Sequence, residues 1–177
     1  AVAAEAAQRG AEVVLVAGAS SETTPAGVRR VDVDSALDMR EAVLAALPEA
    51  DVVVKAAAVA DFRPARAADR KIKKEDLPEG EGLSIELVRN PDILAEVCGQ
   101  KDGRVVVGFA AESHDLIGAA RRKLARTGCD MIVANDITRE GSGFDADDNI
   151  VVFVRPGDEI EELPPMRKAD VAAQLRD

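Results

Sequence analysis

Helix-like and strand-like segments alternate along most of this chain, and this alternation restricts its fold more than any other feature. Runs rich in Val, Ile and Leu predict strands at 12–17, 51–55, 104–110 and 131–135, of which 51–55 is expected to be buried. Helical patterns between them include 35–47, where Ser35 and Asp38 suggest a capping box, and 113–127, which Gly128 ends. Strands joined through helices pair in parallel, because the helix carries the chain back to the same edge of the sheet. The sequence therefore predicts an α/β fold with a parallel sheet flanked by helices.

The remaining segments extend this order at both ends. We expect an extended piece at 28–33, a long polar loop at 62–82, a strand at 83–88 and a helix that Asn90 caps, with Pro91 at its first position. Residues 141–148 predict a turn-rich loop. Two edge strands at 150–154 and 159–163, separated by Pro156 and Gly157, predict a late β-hairpin, and a short helix begins near Arg167.

The beginning of the chain predicts a missing strand. Residues 1–9 form an Ala-rich helical pattern, Gly10 suits its left-handed cap, and the strand at 12–17 follows at once. A helix in this position normally follows another strand in a βαβ unit. We therefore expect residues 1–177 to be a single domain that lacks its N-terminal strand, in a fragment of a longer protein.

Charge and hydropathy exclude two classes of partner. The 177 residues include 23 Lys and Arg against 33 Asp and Glu, for a net charge of −10. Binding to a nucleic-acid backbone depends on excess basic charge, so we expect no nucleic-acid partner. The longest apolar run, at 52–59, is interrupted by Lys55 and is far shorter than the roughly 20 residues that cross a bilayer, so we expect no membrane partner.

Cysteine and histidine usage limits the possible chemistry. Cys98 and Cys129 are far apart in the sequence, without a second thiol or His at ligand spacing, so the sequence predicts neither a disulfide framework nor a zinc site. A reducing cytoplasm is the expected location. The single histidine, His114, excludes mechanisms that need two, and we interpret it as an exposed or capping residue.

Four segments should meet beyond the carboxyl ends of the strands, where open parallel sheets bind their ligands. Ala57 and Ala58 either leave room for a ligand or pack tightly between helix and sheet. Asp61 is either a ligand for Mg²⁺ or a turn residue. The segment 90–93 offers backbone amides to an anion or a base edge, or is an ordinary helix cap. The other two segments are 108–112 and 134–137.

Two groups of cationic side chains could also either bind a ligand or have no ligand at all. Lys71, Lys73 and Lys74 form a K-I-K-K segment that suits a polyphosphate but is also typical of a solvated face. Lys123 lies near the end of its helix, where a cation favours the helix dipole without any ligand. The chain has neither G-x-x-x-x-G-K-[ST] nor G-x-G-x-x-G, so two common nucleotide-binding motifs are absent from it.

Six features in order, however, carry a specific resemblance: AAAVADFRP, KIKK, LVRNPDIL, VVGFAAES, the helix with Lys123, and DMIVANDI. Together they closely resemble the phosphopantothenoylcysteine synthetase family, in particular the bacterial domain that is usually fused to a decarboxylase. The resemblance covers essentially the whole chain and implies a Rossmann-like fold.

The resemblance also implies a ligase of coenzyme A biosynthesis. Such enzymes use CTP and Mg²⁺ to convert the carboxylate of 4′-phosphopantothenate into an acyl-cytidylate with release of pyrophosphate, and the amine of L-cysteine then displaces CMP. It implies a homodimer formed through the late strands. A fused decarboxylase domain would bind FMN, whereas we expect no FMN site in these residues.

By the same resemblance, each functional role falls on a matching residue. Lys71 would be catalytic, neutralising charge around the activated carboxylate, and Asp61 would lie near Mg²⁺ and the triphosphate. The helix start would read the cytosine, Phe109 would pack on the nucleotide, and Lys123 would reach its phosphates. The full CTP site implied is Ala57, Ala58, Asp61, Lys71, Ile72, Lys73, Pro91, Asp92, Ile93, Leu94, Phe109 and Lys123.

Two departures from the family pattern affect the expected activity. The family has a second lysine four positions after the one that matches Lys123, and here that position is Thr127, beside Arg126 as a possible substitute. The family's glycine-rich loop and catalytic asparagine precede the first helix and are not in this sequence. A molecule that began at Ala1 is therefore expected to have impaired or absent turnover.

Two other functions stay open from the sequence. A Rossmann oxidoreductase with a nicotinamide cofactor and a short-chain-type site would need a Tyr–Lys pair, and the chain has no Tyr. A catalytically inactive nucleotide-binding module would bind a nucleotide without turnover.

Overall fold

The computed structural model describes residues 1–78, 80–112, 114–136 and 148–175. Its first half contains α1 (Val2–Gln8), β1 (Val13–Ala17), β2 (Val28–Asp32), α2 (Ala36–Ala46), β3 (Val52–Lys55), β4 (Phe62–Pro64), β5 (Leu87–Arg89) and α3 (Ile93–Cys98). The second half contains β6 (Val105–Glu112), α4 (Leu116–Thr127), β7 (Met131–Asp136), β8 (Asp148–Asn149), β9 (Val151–Arg155), β10 (Glu159–Glu162), β11 (Met166–Arg167) and α5 (Lys168–Gln174). Short 3₁₀ helices cover Leu47–Glu49 and Lys74–Asp76.

The largest sheet has the strand order β10-β9-β7-β6-β3. Strands β3, β6 and β7 are parallel, whereas β9 is antiparallel to β7 and β10 is antiparallel to β9. The predicted α/β class, with a mainly parallel sheet flanked by helices, is confirmed. The late hairpin is also confirmed, and its turn places Gly157 at φ 81° and Asp158 at φ 63°.

Two strand predictions need correction because strand pairing is not local. Strand β9 is not an edge strand, since it lies between β7 and β10 and buries Val151–Val154. Strand β3, predicted to be buried, is at the edge of the five-stranded sheet, and Val52 is 57% exposed there. Within the described chain, β1 and β2 form a separate parallel pair and do not join this sheet.

The two faces of the large sheet bury different residues of β6. Val106 and Ala110 belong to the core that packs with α2, α3 and α4. Val107, followed two residues later by Phe109, belongs to the core that packs with Val171 of α5. Alternate residues of a strand point to opposite faces, so the register assigns every β6 side chain to one layer.

Capping residues in the sequence predicted some helix ends correctly and others wrongly. Ser35 and Asp38 form the predicted capping box of α2, and Gly128 ends α4 in the left-handed conformation at φ 74°. The prediction that Asn90 caps α3 is wrong, because Asp92 is the N-cap and its carboxylate accepts from the Ala95 amide. Helix α4 begins at Leu116, later than expected.

The segment predicted as a loop at 62–82 and a strand at 83–88 is arranged differently. Its first residues form β4, which pairs antiparallel with β5, so that Pro64 lies opposite Leu87. Proline has no amide hydrogen to donate to a β-ladder. The pairing of β4 with β5 ends at Pro64, and one further hydrogen bond follows, from the Ala65 amide to the Glu86 carbonyl. Leu83 and Ile85 are consequently exposed. Most of the predicted turn-rich loop, 141–147, lies outside the described residues.

The two cysteines are neighbours in the folded chain. They are distant in sequence, yet the end of α3 and the turn before β7 bring the Sγ atoms of Cys98 and Cys129 to 3.3 Å in the core. Both thiols are free and buried. Across the described ranges, no helix is long and apolar enough to pass through a lipid bilayer.

Candidate functional site

Asn90 fixes the loop that follows β3. Its side-chain Nδ2 donates to the carbonyl of Ala60 at 2.8 Å, and its backbone amide donates to the carbonyl of Asp61 at 2.8 Å. Its Oδ1 accepts from the guanidinium of Arg63 at 3.1 Å. Asn90 therefore ties the loop to the segment that leads into α3, although its type and spacing had indicated a helix cap.

Asp92 links that segment to α4. One carboxylate oxygen accepts from the Ala95 amide, and the other accepts from the guanidinium of Arg126. Burial acts to raise the pKa of Asp92, but these two donors and the charge of Lys55 outweigh it and hold the pKa below its usual value. Asp92 is thus an anion at neutral pH, with both of its oxygens engaged.

Lys123 links α4 to β6. Its Nζ donates to the carbonyl of Phe109 at 2.7 Å, and the side chain is half-buried. The Phe109 ring packs on the α5 side of the sheet, opposite α4, so only its backbone meets Lys123. The packing of Phe109 on a nucleotide, which the resemblance implies, stays a prediction.

The beginning of α3 lies against a glycine of β6. A Cβ on Gly108 would meet Leu94 Cδ2 at 2.7 Å and Ile132 Cδ1 at 2.9 Å, so this close packing requires the missing side chain. Ile93 and Leu94 are only 2% and 3% exposed. Both residues were predicted to bind the nucleotide. Their side chains belong to the core, so only their backbone groups could contact a ligand.

Lys55, which interrupts the apolar run at 52–59, completes the arrangement. It ends β3 opposite Gly108, and its half-buried Nζ donates to the carbonyl of Ala57 at 3.1 Å. Burial lowers the pKa of Lys55, the charge of Lys123 lowers it further, and Asp92 partly offsets both. A charged residue at the end of an apolar strand was the signal that could have identified it.

Contacts between neighbouring elements therefore gather one group at the carboxyl ends of β3 and β6. We call this group the strand-end cluster: Lys55, residues 57–61, Asn90, Asp92, Phe109, Lys123 and Arg126. Ala57, Ala58 and Asp61 are exposed, so tight helix–sheet packing does not occupy the two alanines. Of the predicted segment 134–137, the structure describes residues 134–136.

The K-I-K-K segment has a different environment. Lys71 and Ile72 line a cavity of about 410 Å³ together with Asp69 and Leu77, and Lys73 forms an ion pair of 3.0 Å with Glu75. Over the parts of the chain that the structure describes, no hydrogen bond or ion pair joins Lys71 or Ile72 to the strand-end cluster. The structure therefore brings together the other predicted site residues without these.

Thr127 and Arg126 do not supply a free cation. Thr127 is buried, and its hydroxyl donates to the carbonyl of Lys123 at 2.7 Å. Arg126 forms an ion pair with Asp92.

Asp61 is the one predicted metal ligand. Among the described residues, no group of three or more His, Cys, Asp or Glu is arranged to hold a metal ion. Mg²⁺ commonly takes one or two protein carboxylates and completes its shell with water and phosphate oxygens. The single exposed carboxylate of Asp61 is compatible with that mode of binding.

Comparison with known proteins identifies the family. The family model described as the C-terminal domain of the DNA/pantothenate metabolism flavoprotein matches residues 1–177. The chain belongs to this family. The family predicted from the six sequence features is thereby confirmed.

Two bacterial relatives of the chain share one name. The chain is 46% identical over 177 residues to the "Coenzyme A biosynthesis bifunctional protein CoaBC" of Bacillus subtilis (strain 168), covering 99% of the chain and 42% of the relative. It is 44% identical to the protein of the same name from Escherichia coli (strain K12), covering 99% of the chain and 43% of the relative. The chain thus spans about two fifths of the length of these relatives.

A solved structure of the family has the same fold. The crystal structure of the C-terminal domain of coenzyme A biosynthesis bifunctional protein CoaBC matches with a TM-score of 0.79 at 38% identity, covering 98% of this chain and 75% of that one. The Rossmann-like fold that the resemblance implied is therefore confirmed for this family member.

Proposed function

We propose that this chain is the nucleotide-activating part of a phosphopantothenate–cysteine ligase that uses CTP. The carboxylate of 4′-phosphopantothenate would attack the α-phosphorus of CTP, forming an acyl-cytidylate and releasing pyrophosphate. The amine of L-cysteine would then attack the acyl carbon and release CMP. The strand-end cluster carries this proposal, because four segments shared with the family meet there at one edge of the sheet.

The charges of the reactants suit such a site. A carboxylate and a triphosphate repel each other, so positioning and cationic groups contribute more to this reaction than a general base does. Lys123 is fixed at the strand ends and would bind the phosphates. Lys71 lies in the long loop and would act once that loop approaches the activated carboxylate.

Selection of the base would depend on the backbone. Cytosine has both donors and acceptors on its edge, and a helix start supplies amides and carbonyls that match such an edge. Since Ile93 and Leu94 are buried, their backbone groups, with Pro91 and Asp92, would make these contacts. Phe109 stays in the proposal as a nucleotide contact.

Asp61 would hold Mg²⁺ together with the phosphates, and the ion would supply further neutralisation of their charge. Asp61 itself would position the triphosphate relative to the cluster through this shared ion. Its placement by Asn90, which holds the backbone of Asp61, supports this role.

The proposal includes a homodimer and a cytoplasmic location. Light scattering during size-exclusion chromatography tests the dimer, since it distinguishes the mass of two chains from that of one. Subcellular fractionation of the source cell tests the location.

Calorimetric titration and pyrophosphate release test the function. We expect CTP to bind more tightly than ATP or NADH, and Asp61→Ala to lose the Mg²⁺-dependent part of this affinity. Pyrophosphate release is measured in a protein that also carries the family's N-terminal glycine-rich loop and asparagine, and there we expect Lys71→Ala to lose it. Lys74→Ala, in the same segment but outside the proposed site, is the matched control. Equal weak binding of all three nucleotides contradicts the proposal, and preference for NADH favours the oxidoreductase. CTP binding without turnover in that longer protein favours an inactive nucleotide-binding module.

A further inference from the structure

Lys55 of β3 and Lys123 of α4 lie on the same face of the large sheet. Lys55 and Val53 lie on one face of β3, and the register pairs them with Gly108 and Val106 of β6. Val106 belongs to the core that packs with α3 and α4. Lys55 is therefore on the face of the sheet that carries α4 and Lys123.

Each ammonium group donates to a backbone carbonyl, one just after β3 and the other within β6. Lys55 donates to Ala57 just after β3, and Lys123 donates to Phe109 within β6, one residue after the partner of Lys55. Among the residues described, neither ammonium has a carboxylate within ion-pair distance. The nearby carboxylate, Asp92, already accepts from Ala95 and Arg126.

Such a pair costs stability unless a ligand compensates it. A half-buried ammonium loses part of its hydration, and a second one nearby adds repulsion. An anion between the two would satisfy both, because each ammonium has three donors and the carbonyl uses only one. Phosphate oxygens are suitable acceptors at this edge of a parallel sheet.

We propose that Lys55 is a phosphate-binding residue that forms, with Lys123, a two-lysine site for the triphosphate of the nucleotide. This inference rests on the proposed function for the identity of the nucleotide, while the anion site itself rests on the two lysines. Lys55 thereby supplies the second cation that neither Thr127 nor Arg126 provides.

Titration of the chain with inorganic tripolyphosphate, CTP and cytidine tests this proposal. Lys55→Met keeps an unbranched side chain and removes the charge, and we expect it to weaken tripolyphosphate and CTP about tenfold, the effect of one lost charge-assisted hydrogen bond. Cytidine binding should not change. Lys168→Met, at the beginning of α5, controls for net charge and should bind all three as the parent does.

A thermal measurement distinguishes a binding role from a structural one. Without ligand, Lys55→Met should melt at the same temperature as the parent or higher, because the variant removes the desolvation and the repulsion. A lower melting temperature, or unchanged tripolyphosphate affinity, overturns the proposal for Lys55. If the parent binds tripolyphosphate in a Lys55-dependent way but does not prefer CTP, the proposed function fails and the two-lysine site stands.

Discussion

The side-chain amide of Asn90 holds the carbonyl oxygen of Ala60 at 2.8 Å, across 30 residues of sequence. This bond joins the loop after β3 to the entry of α3, and it places Asp61 beside the helix start. The arrangement of the strand-end cluster thus depends on one neutral side chain that contributes no charge.

Removal of this amide should loosen the loop. We expect Asn90→Ala to lower the free energy of unfolding by about 1–2 kcal/mol, since two side-chain hydrogen bonds are lost. Asn90→Asp keeps the acceptor for Arg63 and loses the donor to Ala60, so it should produce faster amide exchange at 56–61. Gln100→Ala, which removes a weak exposed bond to the Glu96 carbonyl, is the control. Unchanged exchange in Asn90→Asp would contradict this role.

Features that depend on residues close together in the chain, such as helix ends, could be predicted from the sequence. The capping box of Ser35 and Asp38 and the left-handed Gly128 were visible because each depends on residues within one turn. The edge position of β3 was not, since pairing joins segments distant in sequence. An apolar run looks the same at the centre and at the edge of a sheet.

The same limit applied to the site. The sequence predicted the segments that meet at the strand ends, because carboxyl ends of parallel strands share one edge. It did not predict that Asn90 joins two of them or that Lys55 and Lys123 share one face of the sheet, since both relationships depend on tertiary structure. The proximity of Cys98 to Cys129 was missed for the same reason.

The ion pair of Asp92 and Arg126 should give a measurable pH dependence. The pKa of Asp92 is lowered in the folded chain, so its stabilisation is present above its unfolded value of about 3.8 and is lost as the pH falls through the folded value. Asp92→Asn retains a good N-cap and removes the charge. We expect it to be about 0.5–1 kcal/mol less stable at pH 7, as the pair is partly exposed.

Urea denaturation at pH 7, 5 and 3 measures this difference. The gap between the parent and Asp92→Asn should shrink as the pH falls below about 3.8, because the unfolded carboxyl then takes up a proton more readily than the folded one, whose pKa is lowered. Asp102→Asn removes one exposed charge before β6 and controls for net charge. A gap that is constant from pH 7 to pH 3 would show that the charge of Asp92 contributes nothing.

A side chain at position 108 should destabilise the folded chain. The Cβ of alanine would approach Leu94 and Ile132 to less than 3.0 Å, so both core side chains must move. We expect Gly108→Ala to lower the free energy of unfolding by about 1–3 kcal/mol. Gly82→Ala is the control, because nothing lies within 4 Å of its Cβ. Equal stability of the two variants in urea would show that the core adapts freely.

The cysteine pair should be chemically inert while the chain is folded. Burial, followed by the hydrogen bond and the charge of Cys129, raises the pKa of Cys98 to about 12, and the thiolate is the reactive form. At pH 8 the thiolate of Cys98 is then only about 1 part in 10,000, which follows from a difference of about four pH units. We expect a thiol-specific disulfide reagent to label the native chain far more slowly than the chain in concentrated urea. Cys98→Ala and Cys129→Ala assign any residual reaction to one thiol, and rapid labelling of Cys98 in the native state at pH 8 would contradict the burial and the raised pKa together.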